Sequence, residues 1–379
     1  MNMSNIWIIN IISVFILCVL LAGVVIPEIL LIAFRKRLFD EPDGRKIHQG
    51  IVPRLGGIAF KPVAFFSTAL ILAFNISAGH HELLQQIGAE ALPLSYAFCA
   101  IIILYLVGIA DDLIGIRYRA KFIFQALSGA MLAAGGVLLS DFHGLASIHA
   151  LPILVSVPIT VFTVVLIINA INLIDGLDGL ASGLSGITFL SYGLTFVCYH
   201  QYLYAMFSFA ALGVLIPFFY YNVFGKAERR RKIFMGDAGS LTIGIMICYL
   251  SIQIARFPHP TTPQSLNPIV LAQAPLLLPC LDVARVFLHR IRNGHSPFLP
   301  DKNHIHHKLM AIGMSQHQAM LTIVVTSTAM VLSNILLSAY IDATLLLSLN
   351  VMLWIIVNIL ITHRIHTIHK QHNNPSYQQ

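Results

Sequence analysis

Charge is what this sequence has least of. Only 10% of its 379 residues are Asp, Glu, Lys or Arg, whereas 57% are hydrophobic. A water-soluble domain carries about 25% charged residues, so a soluble enzyme or a nucleic-acid-binding domain is excluded at the outset. Cysteine is also sparse. The five present (Cys18, Cys99, Cys198, Cys248, Cys280) lie singly inside apolar runs, with no CxxC pair, which removes zinc and a disulfide framework and leaves small buried apolar residues. No basic residue precedes the first apolar run, and that run outlasts a signal-peptide core; it reads as an uncleaved membrane helix. There is no internal repeat, low-complexity stretch or linker, so residues 1–379 form one domain, with a polar tail at about 363–379.

What is present is long hydrophobic runs. About 20 apolar residues cross roughly 30 Å of hydrocarbon. Eleven stretches approach this: 7–34, 56–78, 94–110, 122–140, 151–170, 179–197, 202–222, 239–256, 268–288, 320–340 and 343–362. The eighth and ninth are rich in small residues or proline, which leaves ten as the alternative count. The fold class expected is therefore an all-α integral membrane bundle of about 11 spans, with its active-site loops on the cytoplasmic side. The connections near 79–93, 141–150, 198–201, 257–267 and 341–342 hold no Lys or Arg, while the intervening ones are basic. The positive-inside rule then puts the N-terminus outside and the C-terminus in the cytoplasm.

Most of the acidic residues collect at the basic ends of the spans. Asp111 and Asp112 close the third span in GIADDLIGIRYRAK. Adjacent carboxylates repel, and a divalent cation would relieve them; a solvated helix end neutralised by Arg117, Arg119 or Lys121 would serve equally. NAINLIDGLDGLASG separates these readings. Its Asp175 and Asp178 are three residues apart and so share a helix face, as do Asn169 and Asn172. A plain turn has no use for two carboxylates and two amides at such intervals. Asp237, in KIFMGDAGSLTIG, stands between glycines at the entry to the eighth span, either as a simple N-cap or in an anion-binding helix start.

Three further segments carry cations. PFLPDKNHIHHKLMAIG holds His304, His306 and His307, read as phosphate contacts rather than a zinc site because the surrounding donors are carboxylates. DEPDGRKIHQGIVPRLGG offers Arg45, His48 and Arg54, part of which is topogenic charge. The run Lys226 to Lys232 reads as a lipid-headgroup contact. Asp282 and Arg285 read as a structural ion pair facing the interior. The histidines at 363, 366, 369 and 372 read as a polar helix end.

PDGRKIH…VPRLGG, GIADD, NAINLIDGLDG, FMGDAGS and NHIHH, in this order between about Asp40 and Gly313, together resemble the polyprenyl-phosphate N-acetylhexosamine-1-phosphate transferases. The first loop is closer to the branch using free UDP-N-acetylhexosamines than to the phospho-N-acetylmuramoyl-pentapeptide transferases. The resemblance implies a UDP-sugar donor, UDP-N-acetylglucosamine first, and an undecaprenyl phosphate acceptor. It also implies Mg²⁺, with Mn²⁺ as a substitute, and a bacterial inner membrane, where the product would initiate a surface polysaccharide. Membrane lipids, and in one version a second copy of the chain, are the partners; nucleic acid is not. By the same resemblance Asp111, Asp112 and Asp237 are catalytic, and Asp112, Asp175, Asp178 and Asp237 support the metal. Asn169, Asn172, Asp175, Asp178, Lys121, the three histidines and Arg45, His48 and Arg54 then line the substrate site. A transporter is the competing class, but its ion-binding carboxylates belong near mid-membrane, not at one set of helix ends.

Overall fold

The computed structural model describes residues 3–38, 52–258, 266–294 and 303–372. Arg45 and His48 lie outside these residues. Fourteen α-helices are present: α1 (Met3–Lys36), α2 (Phe60–Ser77), α3 (Glu82–Ala89), α4 (Ala91–Ile114), α5 (Tyr118–Ala134), α6 (Ile153–Ile174), α7 (Leu180–Cys198), α8 (Tyr202–Val223), α9 (Gly236–Ala255), α10 (Pro268–Gln273), α11 (Leu277–Arg292), α12 (Ile305–Ala311), α13 (Gln316–Leu337) and α14 (Ala343–His372). Among the described residues the only β pairing is one isolated bridge, Asp141 to Ala150. The protein is a multi-pass membrane bundle.

Among the described residues ten spans are long and apolar enough to cross a membrane, α10 and α11 counting as one broken span. The fourth expected span falls short, because α5 has 17 residues. It nevertheless has to cross. Asp111 at the end of α4 and Asn172 at the end of α6 are both tied to one cluster around Asp237, through Lys121 and directly. Helix α6 therefore starts on the opposite face, and α5 carries the chain there. Its length, about 25 Å at 1.5 Å per residue, is extended by the segment through Val137 and Leu139, both buried.

Helix α9 is the axis of the bundle: every residue from Ala238 to Ala255 is buried, and α4, α6, α7 and α10 pack on it. Lipid gives no hydrophobic drive for helices to associate, so close backbone approach between small residues supplies the contact. A Cβ on Gly57 would stand 2.0 Å from the Gly239 nitrogen, and one on Gly108 would stand 2.5 Å from the Ala238 Cα. These two contacts seat the start of α9 against the turn that leads into α2 and against α4. Peripheral helices are held by polar pairs, such as the reciprocal Asn334–Asn350 amide bonds (3.1 and 2.9 Å) between α13 and α14.

Candidate active site

Four helix ends meet at one face: the C-termini of α4 and α6 and the N-termini of α5 and α9. Lys121, in the first turn of α5, places its ammonium 3.1 Å from Asp111 Oδ2 and 2.8 Å from Asp237 Oδ2. Asn172 donates to Asp237 Oδ1 at 2.6 Å and to Ser240 Oγ at 2.8 Å. Both oxygens of Asp237 are thus engaged, and the residue is not the N-cap of its own helix.

That cap comes from another helix. Asp112 Oδ1 accepts the backbone N–H of Asp237 at 2.8 Å and its Oδ2 accepts that of Ala238 at 2.9 Å. A carboxylate there satisfies two of the free amides of the first turn and faces the positive end of the helix dipole. The preceding residue must be glycine: Gly236 has φ +71°, and a Cβ would fall 2.0 Å from the Arg54 carbonyl and 2.6 Å from Asp112. Residues 53–57 form a strap along 234–235, through Phe234 N to Pro53 O (2.9 Å), Gly56 N to Phe234 O (3.0 Å) and Gly57 N to Met235 O (2.9 Å). The PRLGG and FMGD segments, far apart in sequence, are one piece of backbone structure.

Asp111 keeps one oxygen on the Ile116 N–H (2.6 Å) and the other on Lys121. Asp175, just past the end of α6, receives no hydrogen bond among the described residues. Burial holds its carboxyl well above the usual carboxylate range, helped by the charges of Asp237, Asp178 and Asp112, while Arg54 opposes them. Asp178 instead pairs with Lys232 at 2.6 Å. Lys232 was expected at the lipid headgroups together with its basic neighbours; it turns inward because Asp178 is nearly buried and needs a counter-charge. The two amides also part company. Asn172 reaches the cluster, whereas Asn169 donates to Gln125 Oε1 (2.6 Å) and to its own helix at Val165 O (2.7 Å). Sequence spacing put Asn169 and Asn172 on one face, but it could not show that Gln125 of α5 would claim Asn169.

The histidine segment docks beside Asp175. Asp282, 1% exposed, accepts from Arg285 at 2.8 Å, from His304 Nδ1 at 2.9 Å and from the Ile305 N–H at 3.1 Å. The expected ion pair is therefore also the anchor of α12. His304 and His306 stack with centroids 5.9 Å apart, and the His306 and His307 rings are 4.2 Å apart. His306 is 1% exposed and packs on Gly176, where a Cβ would stand 3.0 Å from its Nε2. Burial, then the neighbouring His307 and His304, push its pKa down to about 3, so it is neutral at pH 7. Of the three rings only that of His307 is part-exposed. Among the described residues no three carboxylates or imidazoles stand close enough to share one ion.

A carboxylate cluster capped by one lysine on one face of a membrane bundle suits transfer of an anionic group at the bilayer surface. The model of glycosyl transferase family 4 matches residues 94–255, which include the cluster on α4, α5, α6 and α9. The undecaprenyl-phosphate alpha-N-acetylglucosaminyl 1-phosphate transferase of Yersinia pestis is 32% identical over 309 residues, covering 80% of this chain and 78% of that protein. The chain belongs to glycosyl transferase family 4. The protein of the same name from Escherichia coli (strain K12) is 30% identical over 80% of this chain and 77% of its own length. A Bacillus subtilis (strain 168) protein named "probable undecaprenyl-phosphate N-acetylglucosaminyl 1-phosphate transferase" is 31% identical over 92% of this chain and 90% of its own length. Family 4 membership disfavours the transporter reading.

Proposed function

We propose that this protein transfers a sugar-1-phosphate, N-acetylglucosamine-1-phosphate first, from a UDP-sugar to undecaprenyl phosphate and releases UMP. The likeness to the Yersinia and Bacillus transferases over most of their length carries this reading. In the reaction, an oxygen of the lipid phosphate attacks the sugar-bound phosphorus of the donor. The bond from that phosphorus to the UMP oxygen breaks, and UMP leaves with the electron pair.

The residues divide this work. Lys121, already shared by Asp111 and Asp237, is the cation an incoming lipid phosphate meets. Asp111 faces that phosphate and keeps it unprotonated. Asp112 acts at one remove: its carboxylate holds the first turn of α9, and hence Asp237, in register. His307 contacts the donor, while His304 and His306 support it from within. Asp237, with both oxygens accepting hydrogen bonds, is poorly prepared to act as a nucleophile, which favours direct transfer. Trapping a labelled aspartyl phosphate would overturn the direct scheme.

Magnesium suits the donor set. The available groups are hard carboxylate and amide oxygens, and Asp175 receives no hydrogen bond among the described residues while burial and three negative neighbours disfavour its charge. Mg²⁺ retains most of its water and takes one or two carboxylates together with substrate phosphates, so a cage of three carboxylates is not needed. Asp175 and Asp237 would hold it, and when bound it offsets the charge gathering on the departing UMP. Asp178, committed to Lys232, supports the loop instead.

The basic residues of the described loops, Arg117, Arg119, Lys121 and Lys226 through Lys232, lie at the carboxylate face. This supports a cytoplasmic site and an outside N-terminus, and the bacterial relatives support an inner membrane. The test is radiolabel transfer by purified protein from UDP-N-acetylglucosamine to undecaprenyl phosphate, with and without Mg²⁺, beside Asp237→Asn. Lipid-linked label that needs Mg²⁺ and disappears in the variant is expected. Label from a different UDP-sugar alone corrects the donor, and no transfer from any nucleotide sugar by folded protein refutes the reading. Light scattering in detergent reads whether two copies assemble.

A further inference from the structure

Seven cations gather at one corner of the carboxylate face, and neither the transfer reaction nor helix packing uses them. Arg35, Lys36 and Arg37 close α1; Lys226, Arg229, Arg230 and Arg231 follow α8, and all are exposed. Among the described residues no carboxylate forms an ion pair with any of them. Glu228 is the one acid within 35–38 and 226–231. Lys232, next in the chain, is not part of the set, because it turns to Asp178.

The fold joins the two segments. Helix α1 packs along α8, so closely that a Cβ on Gly213 would stand 2.7 Å from the Phe15 carbonyl oxygen. At the C-terminal ends of the pair the Arg230 guanidinium lies over the Phe34 ring, 5.5 Å from its centroid. The loop after α8 is drawn tight. The Lys226 carbonyl accepts the N–H of Arg229 at 3.2 Å and that of Arg231 at 3.1 Å. A Cβ on Gly225 would stand 2.1 Å from the Tyr221 carbonyl oxygen and 2.2 Å from that of Arg231, so this loop folds back over the end of its own helix. Arg37 and Arg230 both adopt φ +54°, a left-handed conformation that arginine rarely takes. A topology signal asks only that basic residues lie on one side of the membrane. It has no need of two distant segments docked together, or of arginines in left-handed backbone.

Like charges so collected repel one another, and a bound polyanion relieves them. The surroundings select its kind. Just before the cations, Leu31 and Ile32 of α1 and Tyr220 and Phe224 of α8 are exposed, an apolar and aromatic rim of the type that sits at the headgroup boundary. We propose that this corner binds a membrane phospholipid carrying two phosphates, one held by the end of α1 and one by the 226–231 loop, with its acyl chains against the apolar rim. Once the first phosphate is seated, the second is held close by the lipid itself, so the pair binds better than two separate headgroups. The loop held in this way continues into Lys232 and Phe234, which bond to Asp178 and to the Pro53 carbonyl.

Native mass spectrometry and thermal unfolding of the delipidated full chain in detergent test this, with cardiolipin and phosphatidylglycerol as probes at equal phosphate concentration. Wild type is expected to retain cardiolipin at about tenfold lower phosphate concentration. One cation near the surface is worth about fivefold in affinity, so Arg35→Gln with Arg37→Gln, and Arg229→Gln with Arg231→Gln, should each weaken cardiolipin about 25-fold. Arg117→Gln with Arg119→Gln removes the same charge from the same face and should leave cardiolipin binding unchanged. All these side chains are exposed, and unfolding midpoints without lipid verify that each variant is folded. Equal retention of the two lipids by wild type, or equal loss in all three double variants, overturns the proposal. So does displacement of cardiolipin by inorganic tripolyphosphate at the same phosphate concentration, which would give the corner to a soluble polyanion.

Discussion

Replacing Asp112 with asparagine separates a carboxylate that builds the site from one that holds metal. Each oxygen of Asp112 accepts one backbone N–H at the start of α9, at 2.8 and 2.9 Å. Asparagine keeps one acceptor and turns an NH₂ toward the other amide, leaving a buried donor without a partner. That omission costs about 1–3 kcal/mol. Losing the negative charge at the helix N-terminus adds about 0.5–1 kcal/mol, and up to ~2 in a partly buried setting. The variant should therefore be about 2–4 kcal/mol less stable with no substrate or metal present. Asp175→Asn should behave in the opposite way. It removes a carboxyl that receives no hydrogen bond among the described residues and that burial, helped by the charges of Asp237, Asp178 and Asp112, makes costly to ionise, so the metal-free protein should be as stable as wild type or more so. Thermal unfolding in detergent with chelator, followed by the same measurement at rising Mg²⁺, reads both effects. Asp112→Asn should start lower yet still gain stability from Mg²⁺; Asp175→Asn should start level and gain little. An Asp112→Asn protein of wild-type stability that no longer responds to Mg²⁺ would refute the capping argument.

Lys121→Met leaves Asp111 and Asp237 without their shared cation, and transfer measured by radiolabel should fall by about 10²-fold or more, the scale of a lost transition-state charge partner. Gly57→Ala forces a methyl to 2.0 Å from the Gly239 nitrogen; folded, monodisperse protein should be lost on size-exclusion chromatography. His306 binds its proton less readily in the folded protein, at about 3 against 6.5. The unfolded chain therefore holds more protons between these values, and stability should fall as pH drops from about 6.5 toward 3. His306→Phe should flatten that acid limb in unfolding scans across pH, and an unchanged slope would assign the acid sensitivity to other groups.

The hydrophobic runs fixed the architecture because, in lipid, a span of sufficient length has few alternatives to a helix. The span from 122 was harder to bound: α5 opens on polar Arg119 and Lys121, and the segment after Ala134 crosses without helix. At the site, the aspartates were legible as a set because carboxylates at helix ends require explanation. Their separate duties were not. Asp112 caps a helix 126 residues away, and the partners of Asn169 and Asp178, Gln125 and Lys232, are residues whose type alone signals nothing. A carboxylate three residues from an amide shows a shared face, but not which neighbour occupies it. Asp282 showed the reverse limit, since its i+3 pairing with Arg285 was visible while its longer-range hold on His304 was not.

The burial of α9 on every side bears on how the chain is made. The helix that completes the site is synthesised after α4, α5 and α6 have entered the bilayer. The bond from Ala238 to Asp112 spans 126 residues. At ribosomal speeds of about 5–20 residues per second, Asp111, Asp112 and Lys121 wait about 6 to 25 s for their partner. During that interval the groove that α9 will fill, lined by Gly108 and Ile168, faces lipid or the insertion machinery. A ribosome stalled before residue 236 should therefore leave a protease-sensitive bundle, and one released after 255 a closed one. The last axial helix acts as the keystone of biogenesis, and truncations or slow codons ahead of it should be the most damaging to yield.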